Sequence, residues 1–161
     1  MEAMFTVTKQ YRDYPASHRQ PRHDGHCRFI HGHNWGFNIV FSCAKLDEND
    51  FVIDVGKLQP VKEFLTAMFD HTLLLNEDDP FRESLVRFLA DTKEGAATFA
   101  DIRVVQNCGM EGLARLVYEK VNKILDTCYT EDVKVRGLYV HSVECLEDSK
   151  NSATYTELFP T

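Results

Sequence analysis

Apolar and polar residues alternate along two early stretches of the chain. Over residues 4–12, Phe5, Val7 and Tyr11 share one side of an extended backbone and Lys9 interrupts it, which predicts a strand. From Trp35 to Cys43 the alternation is cleaner. Trp35, Phe37, Ile39, Phe41 and Cys43 face one way, and Gly36, Asn38 and Ser42 the other, as in a strand with one buried face. Between them, Asp13 to Asn34 reads as a loop of about twenty residues, and an ordered domain seldom carries one that long without a function.

The period then changes. Leu58, Val61, Phe64, Leu65 and Met68 recur at helical spacing, with Asp54 upstream as a candidate cap, Pro60 in the first turn and an end near Phe69-Asp70-His71. A short helix is expected after Pro80, with Phe81, Leu85, Phe88 and Leu89 as its apolar positions. Residues 91–100 read as a connection and Ile102–Val105 as a short extended piece. A helix from about Met110 to Leu125 turns Leu113, Leu116, Val117, Val121 and Ile124 inward. Val133 to Cys145 reads as a long strand, 146–152 as a turn, and Ala153–Phe159 as its hairpin partner. This ββααββ order predicts a single α+β domain over residues 1–161: an antiparallel four-stranded sheet with helices on one face. A four-stranded sheet under one helical layer keeps an apolar face that oligomerisation would cover.

Composition narrows the function. The 161 residues are 43% hydrophobic and 27% charged, ordinary values for a globular chain. A net charge of −7 argues against general nucleic-acid or anionic-membrane binding. No apolar run approaches the roughly 18 residues that span a bilayer. Met1-Glu2-Ala3-Met4-Phe5 lacks the form of a secretory signal, so a soluble cytoplasmic protein is expected. The five cysteines (Cys27, Cys43, Cys108, Cys128, Cys145) are odd in number and scattered, which fits a reducing compartment.

The histidines change the picture more. His18, His23, His26, His31 and His33 crowd into one segment together with Cys27. In His31-Gly32-His33, extended backbone turns both imidazoles to one side, and Gly32 leaves room for an ion and its ligand. Two imidazoles suit Zn²⁺, and a third nitrogen completes the set typical of a catalytic zinc with an open fourth position. His18, His23 and His26 are the candidates for that third place. His18 is favoured because it follows directly on the first strand, whereas His23 and His26 read as loop surface. Cys27 either joins the same ion, closing a structural site, or stands beside it as a base or nucleophile.

Cys27-x-x-x-His31-Gly32-His33-Asn34, preceded by Ala16-Ser17-His18-Arg19, resembles the 6-pyruvoyltetrahydropterin synthase superfamily. Val52-Ile53-Asp54-Val55-Gly56-Lys57-Leu58, Phe69-Asp70-His71-Thr72-Leu73, Met110-Glu111-Gly112-Leu113-Ala114 and Val143-Glu144 follow in the family's order, so the resemblance covers nearly the whole chain. The three-residue gap between Cys27 and His31 is similar to the 6-carboxytetrahydropterin synthase branch of queuosine biosynthesis. The resemblance implies a tunnelling fold whose subunits assemble into a barrel, as trimers that stack into hexamers, with active sites at subunit interfaces. It implies His18, His31 and His33 as zinc ligands, Cys27 as the proton-abstracting thiol, His71 with Asp70 as a proton relay, and Glu144 as the acid that anchors the pterin and couples to the relay. Glu111 matches the family's acidic residue before the second helix, but the threonine-like contacts around it are absent. Cys145 follows Glu144 where the family has a threonine.

The reaction implied converts 7,8-dihydroneopterin triphosphate to 6-carboxytetrahydropterin, acetaldehyde and triphosphate. The alternative within the superfamily is triphosphate elimination to 6-pyruvoyltetrahydropterin. One carboxylate such as Glu144 accepts both the amino group and ring N–H of a pterin edge, a two-point contact. Arg19, Arg22, Arg28 and Lys57 are candidates for the triphosphate. Two rival readings are a structural zinc module with Cys27 as fourth ligand and a pterin-binding module without catalysis.

Overall fold

The computed structural model describes residues 4–90 and 99–158. Its strands are β1 (Phe5–His18), β2 (His31–Cys43), β3 (Thr72–Asn76), β4 (Asp101–Val105), β5 (Tyr139–Leu146) and β6 (Ser152–Tyr155). Its helices are α1 (Gln59–Phe69), α2 (Arg82–Ala90), α3 (Met110–Cys128) and α4 (Thr130–Arg136). The strands form one sheet in the order β4-β3-β1-β2-β5-β6. β1–β2, β2–β5 and β5–β6 pair antiparallel, as the alternation predicts. β1–β3 and β3–β4 pair parallel, so the sheet is mixed and has six strands rather than four. The class is α+β.

Two strands make the difference: β4 is the short extended piece expected at Ile102–Val105, and β3 lies where no strand is expected. Thr72-Leu73-Leu74-Leu75-Asn76 is buried at every position, so it shows no alternation for a sequence reading to detect. A second correction concerns residues 133–145, where α4 and a turn precede the strand. Glu131 and Asp132 sit in the first turn of α4 and Lys134 and Arg136 in the last, the charge order that the helix dipole favours. Arg136 bonds Asp132 at 2.8 Å one turn back and buries its guanidinium against the carbonyls of Lys45, Phe51 and Val52. The valines at 133 and 135 suggested extended chain; these contacts override them.

Helices α1 and α3 form where the periodicity places them. Pro60 stands in the first turn of α1, but Asp54 caps a separate 3-10 turn over Val55–Lys57 and not α1. Phe81, just ahead of α2, and Phe88 within it, two of the expected apolar positions, are 56% and 74% exposed, where the helix lies against the edge strand β4. The connection expected at 91–100 falls largely outside the described residues, as does Phe159, and the strand expected at Ala153–Phe159 ends at Tyr155, with 156–158 outside any strand. Gly112 in the first turn of α3 is there for space: a Cβ would meet the Asn107 carbonyl at 2.4 Å.

α1 packs on β1 and β3, α3 packs on β5 and β6, and the two helices touch, so they cover one face of the sheet. The core between them holds Trp35, Phe37, Ile39 and Phe41 from β2, Val61, Leu65 and Phe69 from α1, and Leu113, Val117 and Val121 from α3. The face of the sheet away from the helices carries Asn38 and Glu144, opposite each other across β2 and β5.

The segment between the first two strands is shorter than the alternation suggests. β1 runs to His18 and β2 begins at His31, so His18 and His31 are register partners at the end of a paired ladder. The register slips by one residue between Tyr11 and Tyr14, where Asp13 takes a positive φ of 67°. That bulge swaps the face that β1 turns to the core, from odd-numbered Tyr11 to even-numbered Tyr14, Ala16 and His18.

Gly137 ends α4 in the left-handed region, at φ 66°, with nothing within 4 Å of the place where a Cβ would stand. Gly137→Ala therefore meets a backbone cost alone, of about 1 kcal/mol. Thermal unfolding followed by circular dichroism should show a Tm lower by roughly 2–4 °C. An unchanged Tm would mean that the α4–β5 turn relaxes without penalty.

Candidate metal centre and its surroundings

At the end of β1 and β2, three imidazoles converge. Ala16 pairs with His33 and His18 with His31, which puts all three histidines on the helix-covered face beside Trp35. One nitrogen from each lies within 4.8 Å of the others. His18 is 1% exposed, so it caps the hydrophobic core as well as facing the site.

The hydrogen bonds state which nitrogen is available. His18 Nδ1 donates to the Cys108 carbonyl at 2.8 Å and His31 Nδ1 donates to the Phe29 carbonyl at 2.7 Å. With those protons fixed, Nε2 of each neutral ring carries a lone pair, and the two Nε2 atoms stand 3.2 Å apart. Nε2 of His33 is buried without a hydrogen-bond partner. Lone pairs turned on one another and a buried orphan nitrogen are unfavourable until a cation sits among them. The donor set fits a borderline metal ion such as Zn²⁺.

Burial disfavours the charged form of two of these rings. It pushes His18 down to about 4, aided by the neighbouring His31 and His33 and opposed by the Cys108 carbonyl. Burial also lowers His33, against the pull of the Glu147 carboxylate. Glu147 Oε1 lies 3.2 Å from His33 Nε2 and 3.5 Å from His18 Nε2. Nothing in the pattern around Glu147, on a polar turn, singles it out in the sequence.

The other expected site residues are placed apart from the triad. Cys27, half-buried, lies in a 3-10 turn over His26–Arg28, and its sulfur is not within 4.8 Å of all three ligand nitrogens. His23 and His26 are exposed, as expected of loop surface. His71 stands at the α1–β3 junction with φ 57°, a left-handed conformation uncommon outside glycine. Its Nδ1 donates to Asp70 Oδ1 at 2.7 Å, so the adjacent pair does bond directly. His71 and His33 line one open cleft with Ser17, Asn34 and Thr72.

Glu144 is held on the opposite face of the sheet, accepting from Ser152 Oγ at 2.7 Å and Asn38 Nδ2 at 2.6 Å. Those two bonds, with Arg12 nearby, keep its carboxyl below the usual carboxylate range. Cys145 is buried in the core, and the hydroxyl on Glu144 comes from Ser152 on the neighbouring strand. Glu111 is exposed in the first turn of α3 and lines a cavity of about 820 Å³ whose lining includes none of the three histidines. Of the four candidate phosphate cations, Arg19, Arg22 and Lys57 pair with Asp79, Asp78 and Asp54. Arg28, beside Cys27, lies over the Phe29 ring and donates to the Asp24 carbonyl.

The sequence matches the family described as 6-pyruvoyl tetrahydropterin synthase over residues 6–158. A curated relative from Rickettsia typhi, named 6-carboxy-5,6,7,8-tetrahydropterin synthase, is 38% identical over 68 residues, which are 42% of this chain and 49% of that protein. The chain thus spans about half the length of the first curated relatives it matches. A crystal structure of a Wolinella succinogenes protein superposes with a TM-score of 0.79 at 20% identity, covering 97% of this chain and 99% of that one. The Caenorhabditis elegans 6-pyruvoyl tetrahydropterin synthase superposes with a TM-score of 0.61 at 19% identity, covering 97% of both chains. The family match takes in both histidine-bearing strands, the Asp70-His71 turn and the strand of Glu144, and with it the chain belongs to the 6-pyruvoyl tetrahydropterin synthase family, similar in its curated relatives to the 6-carboxytetrahydropterin synthases.

Proposed function

We propose that the protein is a cytoplasmic zinc-dependent lyase that converts 7,8-dihydroneopterin triphosphate to 6-carboxytetrahydropterin, acetaldehyde and triphosphate, a precursor step toward queuosine. The observation that carries this reading is the convergence of His18, His31 and His33, with the Nε2 lone pairs of His18 and His31 turned inward, in a chain of this family. Zn²⁺ bound there would act as a Lewis acid toward the oxygens of the substrate side chain.

The chain's own residues then supply the proton chemistry. Cys27 is the base that takes a proton from carbon, with Arg28 next to it as an electrostatic support for the thiolate and a contact for the triphosphate. His71 moves a second proton at Nε2, because its Nδ1–H is already committed to Asp70. Asp70, rather than Glu144, is therefore the relay carboxylate. Glu144, acceptor-only and oriented by Ser152 and Asn38, suits the pterin amino and ring N–H groups, and Glu111 offers a second acceptor.

Within one chain Glu144 and the histidines lie on opposite faces of the sheet, and the Asp70–His71 pair is exposed. We infer that the complete site is assembled where copies of the single-domain chain meet, as trimers or hexamers closing a barrel. Asp70, His71 and Cys27 would then face groups that one copy alone keeps apart.

Incubating zinc-loaded protein with dihydroneopterin triphosphate should release acetaldehyde and a carboxypterin, identified by mass. A pyruvoyl product would move the chain to the elimination chemistry of the wider family, and no product would leave a binding module. Cys27→Ala should lower kcat by at least about 100-fold, the usual minimum for a positioned acid or base. Turnover close to that of the unaltered protein would remove Cys27 from the role.

Metal removal separates this reading from a structural zinc module. The apolar core is continuous without the ion, so the chelated protein should keep its circular dichroism spectrum while losing turnover. Loss of the folded spectrum on chelation would favour the structural module.

A further inference from the structure

The carbonyl that fixes His18 belongs to a residue outside every helix and strand. Cys108 stands in the connection between β4 and α3 and is fully buried. Both of its backbone polar groups bond to side chains. The carbonyl accepts from His18 Nδ1 at 2.8 Å, and the amide donates to Asn76 Oδ1 at 2.7 Å. Its sulfur donates to the Arg19 carbonyl at 3.1 Å. A buried amide without its acceptor is costly, so the Cys108 backbone is held where Asn76 offers one.

Asn76 acts from a fixed base. It closes β3 opposite Val105, and the next amide, of Glu77, donates to the Val105 carbonyl at 2.8 Å. The turn that follows is tied back, with the Asp79 amide on the Asn76 carbonyl at 3.1 Å. The buried Asp79 carboxylate pairs at 3.2 Å with Arg19, the residue directly after His18. Contacts therefore run in a closed circuit from His18 through Cys108, Asn76 and Asp79 back to Arg19. At the imidazoles, the Nε2 atoms of His18 and His31 stand 3.2 Å apart, within hydrogen-bond reach. Neither carries a proton while both Nδ1–H groups are committed to carbonyls. Were the Cys108 carbonyl to move away, the His18 proton would shift to Nε2 and be donated to His31. That bond would satisfy both rings and remove a lone pair that a metal ion needs.

We propose that Asn76 is a positioning residue for the metal centre: by seating the Cys108 amide it keeps His18 in the Nδ1–H tautomer, with Nε2 open to an ion. It rests on the metal reading of the triad and not on the identity of the reaction. Asn76 itself touches neither the ion nor a substrate in this role. It acts through the Cys108 backbone, and it holds the empty site in the form that a metal ion finds ready.

Zinc binding and tautomer measurements test this without turnover. Asn76→Ala, checked for fold by circular dichroism, should bind Zn²⁺ about tenfold more weakly in competition with a colorimetric chelator. In the metal-free variant, long-range proton–nitrogen NMR of the imidazoles should show His18 moving toward the Nε2–H tautomer. Asn122→Ala is the control. Asn122 Oδ1 accepts from the Val140 amide at 2.9 Å, a bond of the same kind at the far end of β2, opposite Phe41. Its loss should leave the zinc affinity and the His18 tautomer unchanged. If Asn76→Ala fails to fold, hydrogen exchange in the unaltered protein decides, because coupling between two sites is reciprocal. Zinc should slow exchange of the Cys108 amide more than that of the Val140 amide. Unchanged zinc affinity and tautomer in Asn76→Ala, an equal loss in Asn122→Ala, or equal slowing at both amides would overturn the proposal and leave the triad standing. Failure of the unaltered protein to bind zinc would overturn both this proposal and the function above.

Discussion

One extra residue in β1 decides the chemistry of this protein. Between Tyr11 and Tyr14 the strand advances three residues while β2 advances two, from Phe37 to Trp35. Had the alternation continued unbroken from Tyr11, the core face would have carried residues 13, 15 and 17, and His18 would point away from the helices. The bulge instead sets His18 opposite His31 on the covered side. It is held by Asn34 Nδ2 donating to Asp13 Oδ1 at 2.9 Å and by Arg12, which donates to the Tyr11 and Phe37 carbonyls. The same guanidinium donates to Asn38 Oδ1, and Asn38 in turn donates to Glu144. A single irregularity thus sets the imidazoles on one face and braces the carboxylate on the other.

Placing histidines at the end of a hydrophobic core also sets their charge state. A nearly inaccessible ring is costly to protonate, and three rings within reach of one another make a second proton costlier still. The Cys108 and Phe29 carbonyls fix the tautomers of His18 and His31, so the Nε2 atoms of those two rings carry lone pairs. Cys108 is itself buried, and its thiol is pushed up to about 11, mainly by burial. Its contribution is the backbone oxygen that holds His18, together with an Sγ contact to the Arg19 carbonyl.

Much of this was legible before the structure. His31-Gly32-His33 on extended chain, His18 at a strand end and the two long amphipathic helices each rest on one local period, which sequence states directly. The misreadings have one cause, tertiary burial. Leu73, Leu74 and Leu75 are covered on both sides and lose the alternation of a half-exposed strand. Val133 and Val135 sit in a helix because Arg136 is needed under three carbonyls. Asp13 is an ordinary loop residue by composition, and only the pairing of β1 with β2 makes it a bulge. Glu147 looked like turn polarity because its partners lie more than a hundred residues earlier in the chain.

The two halves of the chemistry differ in how they are held. His18 is buried, and His18 and His31 are tied to carbonyls, so an ion there meets ligands that need little reorganisation. Asp70 and His71 sit on an exposed, strained turn, where the Asp70 amide donates to the Thr66 carbonyl at 3.0 Å and the His71 amide to the Pro15 carbonyl at 2.7 Å. Pro15 pairs with Asn34, next to His33, so this exposed turn is tied by backbone to the ladder that carries the metal site. A strained residue in that position persists only if the surrounding structure fixes it. Proton transfer needs such placement more than it needs burial in the free chain, because whatever docks over the turn can exclude water later. The rigid ladder sets the distances, and the exposed turn leaves room for a substrate and a neighbouring subunit to complete them.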